Sequence, residues 1–594
     1  MSAFEIAPPN LSLEALQDLA MRHFGLAGNL RLLASERDQN ARLDSADGRY
    51  VLKLVNAGEI ADLGDMQDQI LTHLAVVGVA GIPRLRPTLT NAAFGCETVV
   101  GKPCRVRMVS YIDGKTLSDA PRSLEQLRNL GGFMGRLTRG LQGFFHPAAQ
   151  RPDFVWSLDH VIQLHNHVTD IADPNHRALA ERLFARYRAR VLPDLALLRA
   201  SVLHQDANDN NLIVRADAPD EIVGLIDFGD MCHGRTVNQL AITLAYALLD
   251  APDLYAATRA LIEGYVAEFK LTELEADHVY DLMRMRLVAS VCISSRQSKL
   301  HPENSYLLIS QAPAFALLER LDQIDPEFMV ALCRRAAGYA ATKAEAAVRA
   351  YLTTAPVQDM FLPGLSGAAR MALLTDGTHP DMPAFSDRRF DAWFAAQRPA
   401  QLPEAVAFYG FGPYGEVRSV YATDQFADAA SPERRTRHTG IDVFAPAGTQ
   451  VFAPLAGKVA YVTYNADPLD YGHTLILEHE TDQGVKFWTL YGHLGGSLPG
   501  ILKVGQPVLA GQLIAHLGDW HENGGWAPHI HFQIMSDLLA QKAGNFFGVG
   551  HASLWDVWSD IILDANLILR QAPETFTVDP NPPKAMLARR KDSI

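Results

Sequence analysis

Apolar side chains recur three and four residues apart over residues 12–24, the spacing of an amphipathic helix. They then alternate with polar ones over residues 30–34 and 49–55, which predicts two strands, with Asp44-Ser45-Ala46-Asp47-Gly48 supplying turn chemistry between them. Alternation places Val51, Lys53 and Val55 on one face of the second strand. A lysine between two valines on an inward face is costly unless it meets an anion. Residues 59–74 predict a helix and 105–112 a further strand, so residues 29–112 read as β-rich with one helix.

From residue 123 to about 347 the helical period dominates, interrupted by short β-like segments around His204 and Asp227. Residues 354–403 are rich in Pro, Gly, Ala and Asp, with one helix predicted at 386–396, and read as a connector. Beyond it, residues 440–457, 458–464, 474–479, 486–491 and 529–534 predict short strands separated by glycine-bearing turns, the pattern of a compact antiparallel β domain. A helical stretch at 552–570 and a Pro-rich segment lead to Ala588-Arg589-Arg590-Lys591-Asp592-Ser593-Ile594, an ending that reads as abrupt. The expected fold class is multidomain: an α+β bilobal domain, a mostly antiparallel β domain and a helical tail. The predicted boundaries are 1–112 and 113–350 for the two lobes, 351–404 for the connector, 405–548 for the β domain and 549–594 for a helical tail or linker.

At 594 residues the chain is too long for a single core. An apolar content of 48% with 20% charged residues argues against extended disorder. The net charge of -14 disfavours nucleic acid and anionic membrane as partners, and is compatible with cationic substrates. Five scattered cysteines (Cys96, Cys104, Cys232, Cys292, Cys333) without a CxxC pair read as reduced thiols. The first twenty residues lack a basic segment followed by an apolar run, and nothing later reaches the ~20 uninterrupted apolar residues of a membrane span. The expected location is the cytoplasm; the oligomeric state is open.

Two constellations carry chemistry. The first is His204-Gln205-Asp206-Ala207-Asn208-Asp209-Asn210-Asn211 followed by Ile226-Asp227-Phe228-Gly229-Asp230. A His-x-Asp-x-x-x-x-Asn spacing and then an Asp after an apolar strand is what phosphoryl transfer needs: a carboxylate for the acceptor's proton, an amide and a second carboxylate for magnesium on ATP phosphates. With Ser35-Glu36-Arg37-Asp38-Gln39-Asn40 and Tyr50-Val51-Leu52-Lys53, residues 1 to about 350 resemble the aminoglycoside phosphotransferase and choline kinase superfamily, most closely its hydroxylysine-kinase-like branch. The resemblance implies a protein-kinase-like bilobal fold. Lys53 would neutralise nucleotide phosphates, Asp206 would orient the acceptor hydroxyl and take its proton, and Asn211 and Asp227 would bind magnesium. His204 would brace the loop. The turn from Ser35 to Asn40 holds no glycine, so phosphate cover falls to the Ser35 hydroxyl and other side chains. Helix residues Asp62, Asp65, Gln67 and Asp68 offer a partner for Lys53, with Gln67 or Asp68 favoured. Asp113, Asp209 and Asp230 lie near the motifs, where they would meet a substrate ammonium group or, for Asp113, simply face solvent.

The second constellation is His438-Thr439-Gly440-Ile441-Asp442, Tyr491-Gly492-His493-Leu494 and Pro528-His529-Ile530-His531-Phe532. On a strand, positions i and i+2 share a side, so His529 and His531 do. The set reads as a zinc hydrolase site. Residues 405–548 thereby resemble the lysostaphin/LytM-type zinc endopeptidases. The resemblance makes His438, Asp442 and His531 the zinc ligands, and His493 and His529 the residues that orient the attacking water and stabilise the oxyanion. His473 and His521 match no ligand position. Such peptidases usually cut glycine-rich or cell-wall peptides outside the cytoplasm. Three readings stay open here: a cytosolic amide substrate, recycled wall fragments, or a binding module.

Together these imply an ATP-dependent phosphotransferase acting on a small cationic or zwitterionic amine, such as hydroxylysine, ethanolamine or a related amino alcohol, joined to a zinc hydrolase with a peptide or amide substrate. The pairing resembles the front part of bacterial fusions that continue into a class-III, pyridoxal-phosphate aminotransferase-like domain. Pyridoxal phosphate would enter only through such a downstream domain. A rival reading is a non-catalytic scaffold, disfavoured because Lys53, Asp206, Asn211 and Asp227 are all intact.

Overall fold

The computed structural model describes residues 8–577 apart from 36, 302–310, 363, 380 and 422. Glu36 of the predicted turn and the basic run Arg589-Arg590-Lys591 lie outside the described residues. The chain forms two compact units, 1–324 and 325–594.

In the first unit, α1 (Leu13–Phe24) precedes β1 (Gly28–Leu33), β2 (Gln39–Ser45), β3 (Gly48–Leu54), α2 (Ala61–Val76), β4 (Gly95–Val99) and β5 (Lys102–Ser110). Ser12 caps α1 by accepting from the Ala15 amide, and Gly25 ends it in the left-handed conformation at φ 68°. The strands form an antiparallel sheet in the order β1-β2-β3-β5-β4. Leu16 and Leu19 of α1 cover its inner face against Leu43, Leu52, Leu54, Val106 and Met108. The buried face of β3 therefore carries Leu52 and Leu54, while Val51 and Lys53 occupy the half-buried opposite face. This corrects the inward placement expected for Lys53: its side of the strand stays open enough for a charged partner.

The rest of this unit is mainly helical. It runs through β6 (Lys115–Thr116), α3 (Leu124–Gly140), α4 (Pro174–Arg190), β7 (Ala200–Leu203), β8 (Leu212–Val214), β9 (Ile222–Leu225), β10 (Cys232–Arg235), α5 (Asn238–Ala247), α6 (Leu254–Glu268), α7 (Glu273–Leu300) and α8 (Gln311–Asp322). Short strand pairs β7–β10 and β6–β8–β9 hold the two motif loops, as the interrupted helical pattern predicts. The long α7 starts from a Thr272/Glu275 capping box and is buried along most of its length.

The second unit starts earlier than composition suggests. It comprises α9 (Pro326–Ala336), α10 (Glu345–Thr354), β11 (Ala369–Ala372), α11 (Arg389–Ala396), β12 (Phe408–Gly412), β13 (Arg437–His438), β14 (Ile441–Phe444), β15 (Gln450–Phe452), β16 (Gly457–Asn465), β17 (Gly472–Glu480) and β18 (Lys486–Leu494). There follow α12 (Leu498–Ile501), β19 (Pro507–Val508), β20 (Leu513–His516), β21 (His529–Met535), β22 (Val549–Gly550), α13 (Trp555–Ile561), β23 (Ile562–Leu563) and α14 (Asn566–Leu569). The main sheet runs β11-β12-β14-β21-β18-β17-β16-β19, antiparallel except at β11–β12. Val348 and Leu352 of α10 belong to its core with Val443, Leu475 and Ile530. Phe390 of α11 packs with Phe444 and Trp526 in a second aromatic cluster.

The predicted boundary at 350 and the connector 351–404 are thus replaced by one continuous unit. The Pro- and Gly-rich composition there reflects close packing of short elements. The predicted helical tail is likewise woven in: β23 pairs with β21, and α13 stacks Trp558 on Phe328 of α9 at 4.4 Å. Among the described residues no helix is long and apolar enough to cross a membrane.

His479 in β17 is buried, with Nδ1 2.8 Å from the Ala456 oxygen and Nε2 2.8 Å from the Thr489 hydroxyl. Burial pushes its imidazole down to about 4, against about 6.5 for an unfolded histidine. Above pH 6.5 both states are neutral and stability is intact; between 6.5 and 4 only the unfolded chain takes up the proton, so stability falls as pH falls. By pH 4 this one residue removes about 3 kcal/mol. His479→Gln does not titrate, so the stability difference between wild type and variant should shift by about 3 kcal/mol between pH 7.5 and 4. Urea unfolding followed by tryptophan fluorescence reads this; parallel pH curves for the two proteins would contradict it.

Candidate functional site

The motif loop between β7 and β8 is organised by His204, which is wholly buried. The Asp206 amide donates to its Nδ1 at 3.4 Å, so the proton sits on Nε2, which donates to the Ile226 oxygen at 3.1 Å. Burial lowers the imidazole's affinity for a second proton and keeps it neutral, against the pull of Asp206 and Asp227. Phe228 meets the ring edge-on at 4.8 Å. One side chain therefore links the loop of Asp206 to the loop of Asp227, as the bracing role expects. The link is repeated in the backbone, where the Ile226 amide donates to the Asn211 oxygen at 2.9 Å.

Asp206 Oδ2 accepts from Asn208 Nδ2 at 2.9 Å and from Asn211 Nδ2 at 2.8 Å. Asn211 Nδ2 also donates to the Asp206 backbone oxygen at 2.9 Å, which leaves the amide oxygen as the ligand atom Asn211 can offer a cation. Asp227 has φ 62° and Gln205 φ 68°, left-handed conformations that cost a non-glycine residue roughly 1–3 kcal/mol. The Asp227 Oδ1 accepts from the Gly229 amide at 3.2 Å. Burial raises the Asp230 carboxyl, Arg37 at 3.7 Å opposes this, and Asp206 and Asp227 add to the rise. Three carboxylates gathered this way call for a cation.

Lys53 lies 3.9 Å from Asp38 Oδ2 in the turn before β2, and Asp38 N donates to the Ser35 hydroxyl at 3.3 Å. The expected helix partners are engaged elsewhere. Arg107, opposite Lys53 on β5, donates to Gln67 Oε1 at 2.8 Å and forms a buried ion pair with Asp68. A guanidinium one strand over outreaches the lysine for the acceptors of α2. Asp113 pairs with Arg49, Asp209 lies 3.3 Å from Arg122 and Asp230 lies 3.7 Å from Arg37, and of the three Asp230 is the one whose carboxyl feels the charges of both Asp206 and Asp227. A residue that periodicity did not single out, Arg286 of α7, is buried beneath Asp206. Its Nη2 is 3.4 Å from Asp206 Oδ1 and 3.0 Å from the Tyr246 hydroxyl, with the guanidinium over the Trp156 ring. Nothing in a mostly buried helix announces that one of its arginines points at a motif 80 residues away.

In the second unit, β14 and β21 pair with Asp442 directly opposite His531, and His438 ends β13 beside them. His438 Nε2, His531 Nδ1 and Asp442 Oδ1 are mutually 3.0 to 3.2 Å apart. All three residues are buried, and their ligand atoms are close enough to hold one ion. His438 Nδ1 donates to the Pro413 oxygen at 3.0 Å, and His531 Nε2 to Gln533 Oε1 at 3.0 Å. The nitrogens that face each other therefore both carry lone pairs, a repulsive contact that a cation between them relieves. Tetrahedral zinc with bonds of about 2.0–2.1 Å separates its ligands by about 3.3–3.4 Å, so the donor set fits that ion.

Arg418, fully buried, completes the centre. It donates to Asp442 Oδ2 at 2.7 Å and to Glu416 Oε2 at 2.9 Å, which turns Oδ1 toward the imidazoles. Burial opposes the Asp442 charge, but His438 and Arg418 hold its carboxyl well below the usual range. Burial, aided by Arg418, lowers His438 to about 4. Sequence reasoning did not find Arg418, because nothing marks a lone arginine twenty-four residues from its partner.

His493 and His529 flank the centre. The Nδ1 of His493 bonds to the Asn523 oxygen at 2.8 Å and that of His529 to the Ala527 oxygen at 2.6 Å, leaving both Nε2 atoms as acceptors. His529 Nε2 is 3.9 Å from Asp442 Oδ1, and the two rings lie 4.3 Å apart. His493 itself has φ 61°. Burial lowers both imidazoles, His529 to about 4, so both are neutral bases at pH 7. Four of the five residues that the sequence brings forward, Asp442, His493, His529 and His531, line one cavity of about 280 Å³ with Tyr471 and Trp526, and His438 joins them through its contacts with His531 and Asp442. The motif glycine Gly440 serves packing: a Cβ there would lie 2.7 Å from the His531 ring.

Comparison with known proteins matches residues 29–276 to the phosphotransferase enzyme family and residues 436–543 to peptidase family M23. The chain is 29% identical over 332 residues to the hydroxylysine kinase of Danio rerio, covering 53% of this chain and 92% of that protein. It is 26% identical over 268 residues to a homoserine kinase of Pseudomonas aeruginosa, covering 43% of this chain and 78% of that protein. An uncharacterized metalloprotease of Haemophilus influenzae is 33% identical over 132 residues, 21% of this chain and 25% of that protein. Residues 29–276 are accordingly a phosphotransferase-family domain and residues 436–543 a peptidase-family M23 domain, carried on one polypeptide.

Proposed function

We propose that the first unit transfers the terminal phosphoryl group of ATP to the hydroxyl of a small amine-bearing metabolite, a hydroxylated amino acid or amino alcohol. The observation that carries this is the joining of Asp206, Asn211 and Asp227 through His204 into one acidic site. Likeness to hydroxylysine and homoserine kinases, both named for hydroxylated amino acids, supports the acceptor class. Asp206 accepts the acceptor's proton as its oxygen attacks the phosphorus, with Asn208, Asn211 and Arg286 fixing the carboxylate's orientation. Lys53 meets the nucleotide phosphates, and Asp230 meets the substrate ammonium. Magnesium, held by Asn211 and Asp227, supplies charge neutralisation on the phosphates.

The second unit is, on this reading, a zinc-dependent hydrolase of a peptide or amide. Zinc held by His438, Asp442 and His531 supplies Lewis acidity toward the scissile carbonyl. His493 and His529 take a proton from water through Nε2 and return it to the leaving amine.

Three outcomes test these assignments. With magnesium-ATP and a panel of hydroxylysine, homoserine, ethanolamine and 1-amino-2-propanol, the full chain should release ADP in step with acceptor phosphorylation. Asp206→Asn should lower kcat by roughly 100- to 10,000-fold with nucleotide affinity little changed; equal rates would remove Asp206 from the base role. Elemental analysis should find about one zinc per chain, lost in His438→Ala while the folded circular dichroism spectrum persists. A folded, metal-free wild type after zinc loading would end the hydrolase reading. His493→Ala should keep the metal and lose cleavage of a short-peptide library read by mass spectrometry; unchanged cleavage would exclude His493 from the chemistry.

A further inference from the structure

Arg151, in the segment between α3 and α4, straddles the motif residue Asp230. Its Nη1 donates to the Gly229 oxygen at 3.3 Å and to the Met231 oxygen at 3.2 Å, the carbonyls on either side of that aspartate. The guanidinium carbon lies 3.9 Å from the centroid of the Phe154 ring. Stacking on a ring face fixes the plane of the group and leaves its in-plane N–H bonds for other acceptors. Among the described residues no hydrogen bond occupies Nε or Nη2. Those two nitrogens form the edge of an arginine that can take a carboxylate through two parallel bonds.

The neighbouring guanidiniums are engaged. Arg286 is 2% exposed and directs its Nη groups to Asp206, the Tyr246 hydroxyl and the Trp156 oxygen. Arg37 lies 3.7 Å from Asp230. Burial lowers the pKa of Arg151, the Asp230 charge opposes this, and Arg37 adds to the drop, so the acid and both guanidiniums act on one another. Asp230 in turn feels Asp206 and Asp227, which sets this charge pattern beside the proposed proton acceptor. A purely cationic acceptor gains from Asp230 but is opposed by two adjacent positive charges. A zwitterion matches both signs: an α-amino acid carries ammonium and carboxylate on one carbon, as carboxylate and guanidinium stand side by side here.

We propose that Arg151 is a specificity-determining residue of the first unit: its Nε/Nη2 edge takes the carboxylate of an acceptor whose ammonium meets Asp230, so the site selects hydroxylated α-amino acids over the matching amino alcohols. This rests on the phosphotransferase reading above and narrows its acceptor class. Asp206 then receives the proton of a hydroxyl whose chain is anchored at both charges of the α-carbon. Two charged contacts fix the reach of that chain, so the distance from α-carbon to hydroxyl becomes the second selective property of the site.

The test uses the full chain with magnesium-ATP and matched pairs that differ by one carboxylate: homoserine with 3-amino-1-propanol, and hydroxylysine with 1,5-diamino-2-pentanol. In the wild type, kcat/KM for one amino acid or both should exceed that of the matching amine by roughly 10- to 100-fold. In Arg151→Leu this ratio should fall toward one through a raised KM for the amino acid. Arg151→Lys keeps the charge without the fork and should give an intermediate ratio; it carries the test alone should the leucine variant fail to fold. Calorimetry should give both folded variants the wild-type Kd for magnesium-ATP. A wild type that uses the amines as well as the amino acids, or a ratio that the substitutions leave unchanged, overturns the role of Arg151 alone. So does a loss confined to magnesium-ATP affinity, which would assign the guanidinium to phosphate. A wild type that phosphorylates no member of either pair overturns the acceptor class proposed above and the role of Arg151 with it.

Discussion

The ion pair between Arg418 and Asp442 is the contact on which the cluster of His438, Asp442 and His531 depends. Both groups are removed from water, where an isolated charge would be prohibitive, and each is tolerable only because of the other. The guanidinium occupies one carboxylate oxygen and presents the other to two imidazoles, whose outward nitrogens are held by Pro413 and Gln533. Second partners of this kind decide which atom of a ligand faces a metal. The result is a set of lone pairs directed toward one point in a rigid sheet.

The phosphotransferase-family unit solves a related problem by other means. Its three motif carboxylates sit on loops, and a single neutral histidine holds those loops in register through hydrogen bonds at both ring nitrogens. Gln205, Asp227 and His493, three of the eight non-glycine residues with positive φ among the described residues, fall in the motif segments, where surrounding contacts maintain such backbone conformations. In each case the strained residue belongs to one of the two constellations, and a neighbouring element fastens it.

Much of this was legible from residue order. The strand and helix periods place the β lobe, the helical lobe and the β-rich second unit, and the spacing of His, Asp and Asn residues picks out side chains that the structure draws together in each unit. What the sequence hides is pairing at a distance. Arg107, Arg286 and Arg418 each neutralise or orient a carboxylate drawn from another element, and no local pattern links them. The same blindness misassigned Lys53 to Gln67 or Asp68, because the competing cation lies one strand away. Composition also misled at the boundary: residues 351–404 look like a linker, yet they supply strand β11 and the aromatic side of α11 to the second unit's packing.

The position of β21 in its sheet has a temporal consequence. His438 and Asp442 precede His531 by 93 and 89 residues, and β21 is bordered by strands drawn from both earlier and later chain. On a ribosome the first two donors emerge long before the third, and the pairing that aligns them closes large loops, a slow step. The three donors therefore come together only when the sheet is nearly whole, late in the synthesis of the chain.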